Sequence, residues 1–167
     1  MTNTKPDYFS KEFWELMQTY GKATIEFPKL RGISFAQWAL ETGYGRGNEN
    51  RLNSDVLPRV HKNFGGMKYR SEMAAYATPV DYTDWQGKTD KYCHFDSYEN
   101  FIKAYWKRLD VVSDYDGWRK HTGSLDAFID FIGPIWAPAD DGNMDYVAKV
   151  RSVFERLLKK GHLPGSP

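Results

Sequence analysis

The sequence has little of several things, and each shortage excludes a class of protein. Its 167 residues contain one cysteine, Cys93, so neither an intrachain disulfide nor a two-cysteine metal site can form. No stretch of about 18 apolar residues occurs, which predicts no membrane-spanning helix. Residues 1–20 lack an apolar run after a basic patch, so we predict no secretory signal peptide. Cys93 itself is expected to act as a small, half-buried hydrophobe in a strand.

An excess of charge of one sign is also missing. Lysine and arginine number 23, and aspartate and glutamate number 22, which gives a formal net charge of +1. Proteins that bind nucleic acid or anionic membranes need a clustered cationic excess, so we expect neither as a partner. The four histidines form no i, i+4 pair and no HExxH motif, and no glycine-rich phosphate loop is present. The sequence therefore predicts no metal, nucleotide or other cofactor.

Aromatic side chains are what the sequence has in abundance. Six Trp, 11 Tyr and 10 Phe make up 16% of the chain. Rings on this scale fill a core, stack against sugars or bases, or do both.

The amino-terminal third carries the start and stop signals of two helices. Ser10 is a favourable N-cap for a helix over residues 11–20, which a glycine would end. Residues 34–37, Ser-Phe-Ala-Gln, have the form of a capping box. A second, short helix is therefore expected to begin there and to stop before Gly43.

The rest of the chain predicts one small β element between helical segments. Residues 46–63 are polar and irregular, and residues 73–95 favour strands around a turn at 86–88, the pattern of a hairpin. Three helices follow: one after Ser97, one after Ser124 that Gly133-Pro134 stops, and one from about Asn143 to Gly161. We therefore expect a single, mostly helical α+β domain over residues 1–167.

Glu41 is the strongest candidate for chemistry. It falls at the end of the second predicted helix, where unpaired carbonyls make the local potential negative. That field disfavours the ionised carboxylate and raises its pKa. A carboxyl with a raised pKa is what a general acid needs to protonate a glycosidic oxygen near neutral pH. On position alone, a solvated surface glutamate is the more common case.

Four short blocks of sequence are specific in combination. They are Ala36-Gln37-Trp38-Ala39-Leu40-Glu41-Thr42-Gly43-Tyr44-Gly45, Asn63-Phe64-Gly65-Gly66-Met67-Lys68, Phe95-Asp96-Ser97-Tyr98, and Trp136-Ala137-Pro138 with Asp145-Tyr146-Val147-Ala148-Lys149-Val150. In this order they resemble the motifs of the bacterial endo-β-N-acetylglucosaminidase family, which includes autolysins and the muramidase-like domain of flagellar rod assembly. Gly65 departs from the family's pattern, which usually has an aromatic residue there.

The resemblance implies both a fold and an activity. The fold would be lysozyme-like: α+β, mostly helical, with a small β-hairpin lobe flanking a substrate groove. The activity would be a glycoside hydrolase that cleaves the β-1,4 bond after N-acetylglucosamine in peptidoglycan glycan strands, with Glu41 as general acid. Such an enzyme would act at the bacterial cell wall, as a phage lysin, a delivered effector or a domain excised from a longer protein.

Further site residues follow from the resemblance. Tyr146 would lie near the scissile bond, where it hydrogen-bonds the acetamido group or steadies the transition state. The family's second carboxylate is a hairpin glutamate; this sequence offers Asp81 or Asp84 instead, with Glu72 more distant, and without a partner the substrate's own N-acetyl group would act. Residues in or beside the four blocks are expected to bind the glycan: Tyr44 and Trp136 by stacking, Asn63 and Lys68 by framing the groove.

Three alternative functions share these features. An N-acetylmuramidase or a lytic transglycosylase has the same fold and single acidic glutamate, but cuts the other bond or forms an anhydro product. A non-catalytic glycan-binding module is the third. The missing hairpin glutamate favours a binding module, and the retained Glu41 weighs against it.

Overall fold

The structure is a computed structural model, and it describes residues 4–138 and 145–165. This part of the chain is mostly helical. Its helices are α1 Lys11–Lys22, α2 Arg31–Thr42, α3 Val56–His61, α4 Tyr98–Val111, α5 Leu125–Trp136 and α6 Tyr146–Lys160. Its strands are β1 Thr78–Thr83 and β2 Thr89–His94, which pair as an antiparallel hairpin. The predicted class, a mostly helical α+β fold with a small hairpin, is confirmed.

Helix α2 is the central element of the core. Trp38 is fully buried, and its ring centre lies 4.6 Å from that of Tyr20 and 5.1 Å from that of Tyr105. The most extensive helix–helix packing joins α2 to α6. The carboxyl end of α2 therefore emerges from the core close to the amino end of another helix, and this meeting point carries the site described below.

The predicted start of α2 is wrong. Ser34 does not cap the helix but lies inside it, where its hydroxyl donates to the Leu30 carbonyl at 2.9 Å and pairs with the Tyr20 hydroxyl at 2.7 Å. A 3-10 turn at Pro28–Leu30 leads directly into α2, so the helix needs no side-chain cap at Ser34. The predicted end is correct, because Gly43 has φ +57°, the left-handed conformation that glycine adopts readily.

The hairpin presents two different faces. Successive side chains of a strand alternate, so Tyr82 and Tyr92 share one face while Asp81 and its register partner Lys91 lie on the other. The ring centres of Tyr82 and Tyr92 lie 5.2 Å apart. The turn is closed by Asp84, whose Oδ1 accepts from the backbone N–H groups of residues 86 and 88 at 3.0 and 2.9 Å.

Several element boundaries differ from those predicted. Helix α1 runs past Gly21 to Lys22, and α3 lies in a stretch predicted to be irregular. Helix α5 continues through Pro134, because the proline removes one N–H near the helix end and the last turn still closes with the Ala137 N–H on the Gly133 carbonyl. The predicted start at Asn143 lies outside the described residues, whereas the predicted end at Gly161 is correct.

Cys93 is fully buried in β2, deeper than the half-buried strand position predicted for it. None of the helices in residues 4–138 and 145–165 has both the length and the apolar character that a membrane crossing requires.

Candidate active site

Glu41 and Tyr146 form a hydrogen-bonded pair at the junction of α2 and α6. The Tyr146 hydroxyl donates to Glu41 Oε1 at 2.7 Å. Glu41 occupies the last turn of α2, and Tyr146 is the first residue of α6. Burial raises the pKa of Tyr146 well above its ordinary value of 10, so its hydroxyl stays protonated and acts as a donor. Because Oε1 accepts this bond, Oε2 is left to carry an acidic proton.

The pKa of the Glu41 carboxyl is raised from its ordinary value of 4.5 to about 7. The main cause is desolvation of the carboxyl by the surrounding protein, which raises the pKa. The hydrogen bond from Tyr146 lowers the pKa by a smaller amount. The side chain is nevertheless exposed, because it opens into a cleft. A substrate that filled the cleft would displace the remaining water and favour the protonated form further. The sequence argument attributed the raised pKa to the helix end; burial is the larger cause.

Behind the pair lies a buried glutamine. Gln37, one turn before Glu41 on α2, is fully buried, and its Oε1 accepts from the Tyr105 hydroxyl at 2.6 Å. This contact occupies the oxygen of the amide. The amide nitrogen, Nε2, has no hydrogen-bond partner within the described residues. An interaction of Gln37 with the Tyr146 hydroxyl lowers the pKa of Tyr146. Gln37 therefore contributes to the environment of the Tyr146 hydroxyl, which donates to Glu41.

The carboxyl of Glu41 opens into a cleft of about 860 Å³. One part of the lining comes from the turn and loop that follow α2, and another from the hairpin. The lining residues are Tyr8, Leu40, Glu41, Thr42, Gly43, Tyr44, Arg46, Gly47, Asn48, Glu49, Asn50, Arg51, Ser54, Leu57, Gly66, Tyr82, Trp85 and Tyr92. The cleft thus lies between a helical body and a β-hairpin, and it combines aromatic rings, amides and charged groups.

Neither of the two hairpin aspartates proposed as the second carboxylate lines this cleft. Asp81 lies on the hairpin face opposite Tyr82, and its Oδ1 is 2.7 Å from Lys91 Nζ. Asp84 is engaged in the hairpin turn. Glu72 is ion-paired with Arg70 at 3.3 Å and is also absent from the lining. Among the described residues, the second carboxylate that does line the cleft is Glu49.

The two predicted stacking residues have different positions. Tyr44 lines the cleft, with its ring half-buried and 4.9 Å from the ring of Tyr8. Trp136 is absent from the lining and packs 5.5 Å from the ring of Tyr105. A Cβ atom on Gly65 would lie 3.1 Å from the Trp136 indole. The indole therefore occupies the space beside the position where the resembling family usually has an aromatic side chain.

The predicted frame of the groove is not part of the cleft lining. Asn63 is fully buried; its Nδ2 donates to the carbonyls of Met67 and Cys93, and its Oδ1 accepts from backbone N–H groups. It shapes the turn against β2 and has no polar atom left for a substrate. Lys68 forms an ion pair with Asp90 at 2.9 Å. The binding roles of Asn63, Lys68 and Trp136 stay predictions: none of the three lines the cleft, and each is engaged within the protein.

The sequence analysis missed several cleft residues. Trp85 is 54% exposed at the hairpin tip, and the guanidinium of Arg51 lies 4.3 Å from the centre of its ring. The Tyr82 hydroxyl donates to the Asn53 carbonyl at 3.0 Å, which joins the hairpin to the loop after α2. In the sequence, the signal that could have identified the hairpin tip was a tryptophan beside the predicted turn.

In the described part of the chain, no group of three or more His, Cys, Asp or Glu side chains is arranged to hold a metal ion.

A helical body, a small hairpin and a cleft with a raised-pKa carboxyl at a helix end define a lysozyme-like glycoside hydrolase. The chain belongs to the glucosaminidase family: the family model described as mannosyl-glycoprotein endo-beta-N-acetylglucosaminidase matches residues 17–159.

Two solved structures share the fold. The peptidoglycan hydrolase from Sphingomonas sp. A1 has a TM-score of 0.57 and 19% identity, over 87% of this chain and 89% of that one. The catalytic domain of the autolysin Auto from Listeria monocytogenes has a TM-score of 0.54 and 18% identity, over 93% of this chain and 87% of that one. A comparison with curated protein sequences gave no match.

Proposed function

We propose that this glucosaminidase hydrolyses the β-1,4 bond after N-acetylglucosamine in peptidoglycan glycan strands, with Glu41 as the general acid. The observation that carries the proposal is the Tyr146–Glu41 hydrogen bond at the edge of the cleft. It holds one carboxyl oxygen, and burial keeps the carboxyl protonated to about pH 7, so the other oxygen can give its proton to a glycosidic oxygen. One of the two solved structures named above is a peptidoglycan hydrolase and the other is the catalytic domain of an autolysin, which supports this polymer as the substrate.

Tyr44 and the exposed rings of the hairpin supply apolar faces for sugars along the cleft. Stacking and hydrogen bonding bind a neutral sugar backbone without a strong field, which suits a formal net charge of +1. Peptidoglycan lies in the bacterial cell wall, so we propose the wall as the place of action, whether the chain serves as a phage lysin, a delivered effector or a domain of a longer protein.

Digestion of purified sacculi, followed by borohydride reduction and mass spectrometry, tests the proposed bond. We expect fragments with reduced N-acetylglucosamine ends. Reduced muramic acid ends would instead identify an N-acetylmuramidase, and anhydro-muramic products a lytic transglycosylase. No fragments at any pH would leave the glycan-binding module.

Glu41→Gln tests the proposed acid. The amide can still accept a hydrogen bond from Tyr146 but cannot give a proton, so we expect fragment release to fall by about 10²–10⁴-fold with no loss of thermal stability. Glu15→Gln is the matched control, because Glu15 accepts from the Tyr98 hydroxyl at 2.7 Å outside the cleft. Substantial activity in Glu41→Gln would remove Glu41 from the mechanism.

A further inference from the structure

Positive charge without an acidic partner collects at the end of the cleft beside Tyr8. Arg46 lines the cleft there, and Arg156 Nη1 donates to the Tyr44 hydroxyl at 3.1 Å. Lys160 Nζ lies 5.5 Å from the centre of the Tyr8 ring. We call these five residues, Tyr8, Tyr44, Arg46, Arg156 and Lys160, the basic corner.

Within residues 4–138 and 145–165, none of the three cations of the basic corner forms an ion pair. Arg151, on the same helix as Arg156, provides the contrast: its Nε lies 2.9 Å from Asp126 and its Nη2 lies 2.6 Å from Asp130. The charged side chain that acts on the Tyr8 hydroxyl is Arg156. An anion that enters the corner would therefore meet donors that no carboxylate already occupies.

The corner is held in place by its tyrosines. The rings of Tyr8 and Tyr44 meet edge to face at 87°, and the Tyr8 hydroxyl is hydrogen-bonded to His162 Nδ1 at 2.5 Å. Arg156 uses one of its five N–H donors on the Tyr44 hydroxyl, which leaves a fork free for a planar anion. Positioned donors lose less conformational freedom when they bind than freely moving ones.

Part of the corner lies outside the segment that matches the family. Tyr8 precedes residue 17, and Lys160 and His162 follow residue 159. The basic corner is thus built partly from segments beyond the matched range and partly from residues within it.

We propose that the basic corner is a subsite for a carboxylate on the peptide side chains of the glycan. The inference rests on the proposed function. Tyr44 follows Glu41 by three residues and lines the same cleft, so an anion bound at the corner belongs to the strand being cut. Of the anionic groups carried by such strands, the peptide carboxylates are planar, and arginine forks match their two-oxygen geometry.

The test uses soluble, peptide-bearing glycan strands freed of phosphate-containing wall polymers, either native or with their carboxylates converted to carboxamides. For the unmodified protein, we expect the conversion to raise KM by about tenfold and to leave kcat unchanged, because the subsite binds ground state and transition state alike. The double variant Arg46→Gln/Arg156→Gln should show the raised KM already on native strands and no further rise on amidated ones. Lys103→Gln/Lys120→Gln removes two exposed charges outside the cleft and is the matched control.

Equal KM values on native and amidated strands would overturn the subsite while leaving the hydrolase intact. So would a double variant that still responds to amidation, or a control that loses affinity as much as the double variant. If the tenfold effect appeared only after phosphate-containing polymers were added back, the ligand would be a phosphate and the carboxylate proposal would be wrong. Absence of cleavage on every strand would instead contradict the proposed function.

Discussion

At Glu41, two effects of opposite sign set the proton affinity of the carboxyl. Desolvation raises the pKa, and the hydrogen bond from Tyr146 lowers it because the donor stabilises the ionised form. Desolvation is the larger effect, so the carboxyl remains an acid to about pH 7. A general acid must be protonated to act, so kcat/KM is expected to fall as the pH rises through this pKa.

Tyr146→Phe should separate the two effects. Without the hydroxyl, the pKa of Glu41 rises further, so the alkaline limb of the kcat/KM profile should move to higher pH. The carboxyl also loses its anchor, and we expect kcat at pH 6 to drop by about 10–100-fold. Tyr98→Phe removes a matched tyrosine–glutamate bond elsewhere and should change neither quantity. An alkaline limb that stays in place or moves down would contradict this account of Tyr146.

The sequence singles out individual residues only where the chemistry of the side chain and its local position point the same way. Glu41 stands at a helix end that glycines mark, and a sequence motif singles it out. The contact between Tyr105 and Gln37 joins residues 68 apart, and spacing along the chain carries no information about it. Asn63 lies within a motif, yet its partners are backbone groups on either side of a turn, which only the folded chain reveals.

At the level of elements, the two faces of the hairpin separate Asp81 from the tyrosines that line the cleft. A strand places alternate residues on opposite faces, so the face that brings Tyr82 to the cleft turns Asp81 towards Lys91. The loop after α2 supplies Glu49 instead. We propose Glu49 as the second carboxylate, in place of Asp81 and Asp84.

Three single variants, Asp81→Asn, Asp84→Asn and Glu49→Gln, test this assignment. We expect the two aspartate variants to retain activity within about twofold, because an exposed ion pair contributes at most about 1 kcal/mol and an Asn can still accept the turn hydrogen bonds. Glu49→Gln should lose about 100-fold or more in fragment release. Fast cleavage by Glu49→Gln would contradict the assignment and leave the substrate's own acetamido group as the partner.

Element types followed well from the sequence, and element boundaries less so. Apolar spacing predicted the helices after Ser97 and Ser124, because burial of one face imposes a period on the chain. The hairpin was predicted from a strand-favouring stretch around a turn. Ser34 misled the prediction because a serine that bonds back to a carbonyl inside a helix has the same local sequence as a cap. Helix α3 was missed because six residues are too few to show a period.

At the level of the whole molecule, the raised pKa of Glu41 links stability to pH. The folded chain holds this proton up to about pH 7, whereas an unfolded glutamate loses it near 4.5. Between these values the folded state binds more protons than the unfolded state, so the contribution of Glu41 to stability falls as the pH rises across that window.

Glu41→Gln removes this pH dependence. The stability difference between the variant and the natural protein should therefore shift in favour of the variant between pH 4.5 and pH 7 and stay constant above that range. Urea unfolding at pH 4.5, 6 and 8 measures it. Parallel stability curves for the two proteins would show that the folded and unfolded pKa values of Glu41 are the same.

The pairing of Tyr146 with Glu41 joins positions 105 residues apart. During synthesis, the segment that bears Glu41 leaves the ribosome long before the one that bears Tyr146. A nascent or truncated chain without α6 has neither the hydroxyl that holds the carboxyl nor the packing that withdraws it from water. We therefore expect competence for the proposed reaction to arise only when the last helix docks.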